Sequence, residues 1–129
     1  PRPVERVAAV LERDGQLLIV RRPQEGLLGG LWELPGGDVT PGANPEEALR
    51  TLLRESLGAE VVVGAHLADV RHVFSHLVWH LRCYRAELTP EAEVAGGESV
   101  RWVEPEALAE YAFPAIYHRV FAQVLPRRS

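Results

Sequence analysis

The stretch from Pro35 to Gly58 constrains the fold more than any other part of the sequence. Pro35-Gly36-Gly37 is expected to stop the short apolar run Leu31-Trp32-Glu33-Leu34, which reads as a strand. A few residues later Asn44 offers a side-chain oxygen for an N-cap. Pro45 suits the first helical position, and Glu47 stands where a capping-box carboxylate belongs. Ala48, Leu49, Leu52, Leu53 and Leu57 then form a one-sided apolar stripe, and Gly58 supplies a left-handed stop. A strand, a glycine turn and a capped amphipathic helix in that order require a sheet for the helix to cover.

The rest of the chain supplies one. Val7–Leu11 and Gln16–Val20 flank Asp14-Gly15, a strong hairpin signal. A glycine-rich loop runs from Arg22 to Gly30. Further strands are expected from Val61 to about Val70, from Leu77 to Leu88, and over Val100–Val103. Pro105–Glu110 and Pro114–Leu125 read as two closing helices opened by prolines, and Trp32 and Trp102 as core residues. At 129 residues this is one α+β domain, with residues 1–5 expected as a linker or tail and 126–129, including Arg127 and Arg128, as a frayed tail. The sequence lacks methionine and opens Pro1-Arg2-Pro3. That opening reads either as a removed initiator or as a piece of a longer protein cut at a proline-bearing linker.

Composition excludes several functions. No apolar run reaches the roughly 18 residues of a membrane span. The single Cys83 excludes an internal disulfide and a four-cysteine iron–sulfur site. It also fits a reducing compartment, so a cytoplasmic location is expected; separately, the chain is expected to be a monomer. A net charge of −4 argues against a free-standing electrostatic DNA binder. His72, His76 and His80 recur every fourth residue, but on a strand each step is about 13 Å, too far to share an ion. The loop Gly26–Gly30 lacks the lysine of a phosphate-binding P-loop and reads as structural.

From Gly37 to Gly58 the chain resembles the Nudix box, G-x5-E-x7-R-E-U-x-E-E-x-G-U, with both end glycines at the family spacing. In Nudix enzymes the box glutamates hold magnesium against a diphosphate. Here the first glutamate position is Ala43, the arginine is Thr51, its partner is Leu52, and the last acidic pair is Glu55 and Ser56. One carboxylate of the cluster remains. Glu46 and Glu47 could be offered as substitutes, but acidic residues in a first helical turn are already explained by capping and the helix dipole.

A second resemblance covers nearly the whole chain. Arg21-Arg22-Pro23-Gln24-Glu25-Gly26-Leu27-Leu28-Gly29-Gly30-Leu31-Trp32-Glu33-Leu34-Pro35 is similar to the R-R-P-x-x-G-L-L-x-G-L-W-E-F-P segment of the C-terminal domain of the MutY adenine DNA glycosylases. His72-Val73-Phe74-Ser75-His76 is similar to that family's H-x-F-S-H loop. Tyr111-Ala112-Phe113-Pro114 is similar to its Y-A-F-P, with Arg119 following. That domain is itself a Nudix fold without the catalytic carboxylates.

The resemblance implies a Nudix-like α/β/α sandwich with a mixed sheet and no catalytic residue of its own. It implies a domain that reads 8-oxoguanine opposite adenine in duplex DNA through Phe74, Ser75 and His76, beside a separate glycosylase domain. No cofactor is implied for this chain. The chemistry is intelligible: oxidation at C8 turns guanine N7 from an acceptor into an N–H donor, which a serine oxygen can accept. Phe74 could wedge or stack in the duplex, and His76 could reach a phosphate or orient the serine. Phe74 could equally close a strand as a core aromatic, with Ser75 a plain turn residue. The alternative function is a divergent Nudix hydrolase that cleaves a nucleoside diphosphate derivative with magnesium held by Glu55, Glu46 and Glu47.

Overall fold

The computed structural model describes residues 2–125. Strand β1 (Arg2–Arg13) turns at Asp14-Gly15 into β2 (Gln16–Arg21). Both turn residues have positive φ, 52° and 78°, the backbone that a tight two-residue hairpin demands. Short strands β3 (Trp32–Glu33) and β4 (Gly36–Asp38) precede helix α1 (Pro45–Leu57). The hairpin β5 (Val61–Phe74) and β6 (Leu77–Leu88) follows, then β7 (Val100–Val103), a 3-10 turn over Pro105–Glu110, and helix α2 (Ala115–Val124).

All seven strands join one mixed sheet in the order β3-β2-β1-β6-β5, with β4 paired to β1 and β7 to β2. Only β1 and β6 run parallel. The sheet is covered on both faces, which is why the Val7–Leu11 segment of β1 reads as an unbroken apolar run rather than an alternating one. Val7, Ala9 and Leu11 face α1 and pack with Leu49, Leu53 and Leu57. Ala8 and Val10 face the other way, into a core with Trp79, Leu81, Cys83, Ile116, Tyr117 and Val120. The expected α+β sandwich is therefore the observed architecture. Among the described residues no helix is long and apolar enough to cross a membrane.

Helix α1 is capped as its sequence dictates. Asn44 Oδ1 accepts from the Glu47 amide at 2.9 Å, and Gly58 (φ 64°) returns its N–H to the Arg54 carbonyl at 2.9 Å.

Three expectations need correction. Residues 2–5 are not a linker: Arg2 to Glu5 pair with Leu77 to His80 of β6, and parallel pairing between distant segments leaves no local signal. Strand β3 does stop before Pro35-Gly36-Gly37 as expected, and Gly36 to Asp38 then form a further strand, β4, against Ala8 to Arg6 that no local pattern announces. Glycine is required there: a Cβ on Gly36 would lie 2.0 Å from the Val7 carbonyl oxygen. Strand β5 continues past Val70 to Phe74, carried by its partner β6 through register shifts between Val63 and Ala68. Pro105–Glu110 is a 3-10 turn rather than an α-helix. The tail assigned to 126–129, with Arg127 and Arg128, lies outside the described residues.

Candidate functional site

Two places carry the residues singled out by the sequence. The first is the surface of α1. Ala43 sits exposed in the loop before the helix, and Thr51 and Glu55 are exposed on it. Leu52 is half-buried and packs over Gly37, its Cδ2 lying 3.2 Å from where a Cβ on Gly37 would be. Ser56 donates its hydroxyl back to the Leu52 carbonyl at 2.6 Å, so it serves its own helix.

Hollows flank this helix on both sides. One, of about 270 Å³, is bordered by Glu33, Gly36, Ser56 and Ser99; the other, of about 330 Å³, by Asp38, Ala43, Glu47 and Leu52. Glu55 borders neither. Glu47 and Glu55 are eight residues apart, about 12 Å along the axis and about 80° around it. Glu46 falls on the face opposite Glu55. The three carboxylates of the hydrolase reading are not brought together. A magnesium ion wants clustered oxygen ligands at about 2.1 Å, and the side chains at the box positions do not fit one. Among the described residues no group of three or more His, Cys, Asp or Glu is arranged to hold a metal.

The second place is the turn between β5 and β6. Phe74 pairs with Leu77, and Ser75-His76 form the two-residue connection. Ser75 has φ 42°, a left-handed conformation uncommon for a residue with a side chain, and both Ser75 and His76 are exposed. The His76 carbonyl accepts from the Arg2 amide at 2.7 Å, which ties the turn to the start of β1. The Ser75 hydroxyl and the His76 ring have no protein partner among the described residues. Phe74 is both things the sequence allowed. It is half-buried, with its ring edge-to-face on Trp79 at 4.8 Å and on His72 at 4.6 Å, so it closes the core while part of it remains exposed beside the turn.

A polar seam that sequence reasoning missed lies under Trp79. Arg6 bonds Asp38 at 2.6 Å and approaches Glu33 at 3.6 Å, and Arg22 bonds the same Glu33 oxygen at 2.9 Å. Both guanidiniums lie over the Trp79 ring, at 4.4 and 5.3 Å from its centre. Contacts thus run from Phe74 through Trp79 and the two arginines to Glu33 at the edge of the smaller hollow. The charged pair Glu5-Arg6 directly before the apolar run Val7–Leu11 was the available hint.

The histidines find separate partners. His80 lies between Glu5 (3.2 Å) and Asp69, both carboxylates also approached by Arg82. His72 meets Arg119, and the His76 ring has no partner among the described residues. The amide of Gly30 is spent on the carbonyls of Arg22 and Pro23, so the glycine loop closes on itself. Trp32 is buried as expected, whereas Trp102 is half-buried beneath Arg13. Cys83 is no nucleophile: burial, with a smaller contribution from Asp69, pushes its thiol up to about 12. Burial likewise raises Tyr117 well above its ordinary value.

This sandwich, with its glycine-bounded helix, defines a class. The sequence matches the profile of the NUDIX domain over residues 6–123, and the chain belongs to that family. It is 34% identical over 109 residues to the CTP pyrophosphohydrolase of Escherichia coli (strain K12), covering 84% of this chain and 81% of that protein. It is 32% identical over 130 residues to the adenine DNA glycosylase of Homo sapiens, covering 94% of this chain but only 23% of the glycosylase. Among solved structures, a MutT NUDIX hydrolase from Burkholderia pseudomallei superposes with a TM-score of 0.82 at 25% identity, covering 96% of this chain and 99% of that one. The pyrophosphohydrolase match thus spans most of both proteins, whereas the glycosylase match spans less than a quarter of the glycosylase.

Proposed function

We propose that this Nudix domain reads 8-oxoguanine opposite adenine in duplex DNA, without breaking a bond itself, in company with a glycosylase domain. The observation that carries this reading is the β5–β6 turn. Ser75 and His76 present polar side chains without partners among the described residues beside the half-buried ring of Phe74, with the Ser75 backbone at positive φ. A serine oxygen there can accept from the N7–H that oxidation creates, and its hydroxyl can donate to an acceptor. A matched contact of this kind discriminates by about 1–3 kcal/mol. The residues at the box positions support the same reading, because a leucine and an alanine stand where a magnesium site needs carboxylates. With a net charge of −4 the domain alone binds weakly, and the companion domain carries most phosphate contacts.

The test is a low-salt NMR titration with duplexes carrying 8-oxoguanine or guanine opposite adenine, with and without magnesium. Larger shifts at Phe74, Ser75 and His76 for the oxidised duplex are expected. Equal or absent shifts for the two duplexes would refute the reading.

A second reading is favoured by the comparisons: a divergent hydrolase of a nucleoside diphosphate derivative. The pyrophosphohydrolase likeness extends over most of both proteins, and the hollow beside Gly36 and Ser56 could admit a small polar ligand. Magnesium-dependent turnover of CTP or 8-oxo-dGTP, abolished by Glu55→Gln, would establish it over the first.

A further inference from the structure

A turn that distinguishes one hydrogen and one oxygen on a base edge must be held still. The side chains of Ser75 and His76 make no contact that does so. The restraint comes from α2. Arg119 donates from Nη2 to two acceptors, the Arg71 carbonyl oxygen and His72 Nδ1, each at 2.7 Å. The helix that presents it is firmly seated, because Ile116, Tyr117 and Val120 are fully buried.

A guanidinium has donors and no acceptor. His72 Nδ1 must therefore offer its lone pair, which leaves the proton on Nε2. The opposite tautomer would set N–H against N–H. The same imidazole stands edge-to-face on Phe74 at 4.6 Å, and Phe74 stands in turn on the buried Trp79. Phe74 is thus gripped from two sides, by a ring of the core and by a ring that α2 orients.

We propose that Arg119 is the positioning residue of this turn: it locks His72 as the neutral Nε2–H tautomer and through that ring seats Phe74 beside Ser75. The proposal rests on the reading of the turn given above. It adds one binding group, because His72 Nε2–H has no partner among the described residues and is a donor for an oxygen acceptor on the ligand. That acceptor is either a phosphate oxygen or the C8 carbonyl, and guanine duplexes separate the two: loss of the donor lowers affinity for both duplexes in the first case and for the oxidised one alone in the second.

The decisive experiment is a long-range nitrogen–proton NMR correlation on the free domain, followed by the duplex titration. In the unaltered protein His72 is expected as a single tautomer with Nδ1 unprotonated. Arg119→Ala should mix the tautomers, broaden the Phe74 and Ser75 signals, and weaken binding of the oxidised duplex by about fivefold. Arg119 is exposed, and an unchanged urea midpoint would certify the fold. His72→Asn keeps an acceptor for Arg119 but removes the ring from Phe74. It should retain the α2 shifts and lose the same fivefold. An unchanged His72 tautomer in Arg119→Ala, or unchanged duplex binding once the tautomers mix, would overturn the proposal. Should the unaltered domain itself ignore the oxidised base, the reading function fails, while the tautomer spectra still decide what Arg119 does.

Discussion

The box segment and the β5–β6 turn make opposite use of a family scaffold. Along Gly37–Gly58 the backbone keeps its glycines, cap and helix, while two of its box side chains make their contacts within the fold: Leu52 packs on Gly37 and Ser56 bonds its own helix. At the turn the Ser75 backbone is held in an uncommon conformation, and the Ser75 and His76 side chains have no partners among the described residues. Groups that spend their hydrogen bonds within the fold contribute stability. Groups held in place but unspent are available to a ligand. The difference separates a segment that supports the domain from one that can read something outside it.

The sharpest test of that contrast is Leu53→Ala in α1. Leu53 is fully buried against β1, so its truncation should cost about 2–5 kcal/mol in urea unfolding and leave the local shape of the turn intact. A loss below about 1 kcal/mol would mean the box helix is not the support it is taken to be.

Next in size is the alkaline limb of stability. The Cys83 thiol is raised from 9.0 to about 12 in the folded chain, so its contribution is fully present below pH 9 and disappears as pH rises toward 12. That is at most about 4 kcal/mol. The burial-raised Tyr117 and Tyr84 work in the same direction. Cys83→Ala should flatten the decline between pH 9 and 12, measured by denaturant midpoints. An identical slope would show the thiol to be more accessible than its packing in the α2-side core implies.

Ser75→Ala reverses the pattern of Leu53. Stability should stay within about 0.5 kcal/mol, because an exposed, unpartnered hydroxyl is lost. Preference for the oxidised duplex should fall by about 1–3 kcal/mol, read from paired titrations. Intact preference would leave the turn a plain connection. The smallest effect is expected from Glu55→Gln, within about 0.5 kcal/mol of stability and without change in duplex binding. Any magnesium-dependent turnover that this substitution removes would instead restore chemistry to the box.

Much of this was legible before any coordinates. Asn44, Pro45, the Leu49-Leu53-Leu57 stripe and Gly58 specify α1, and Asp14-Gly15 specifies its hairpin, because caps and turns act within a few residues of chain. The box substitutions were visible for the same reason: a family spacing is a property of one short segment. The tertiary structure decided everything that depends on distant partners. Arg2 to Glu5 became a strand only because β6 lies alongside them, and Gly36 stands where the Val7 carbonyl of β1 leaves no room for a Cβ. Arg6 and Arg22 came to share Glu33 beneath Trp79, and Arg119 reached His72 across 47 residues of sequence. No local pattern encodes such meetings. Side chains that find one another through packing leave no period or cap in the chain, so the restraint on the turn emerges only once α2 is docked.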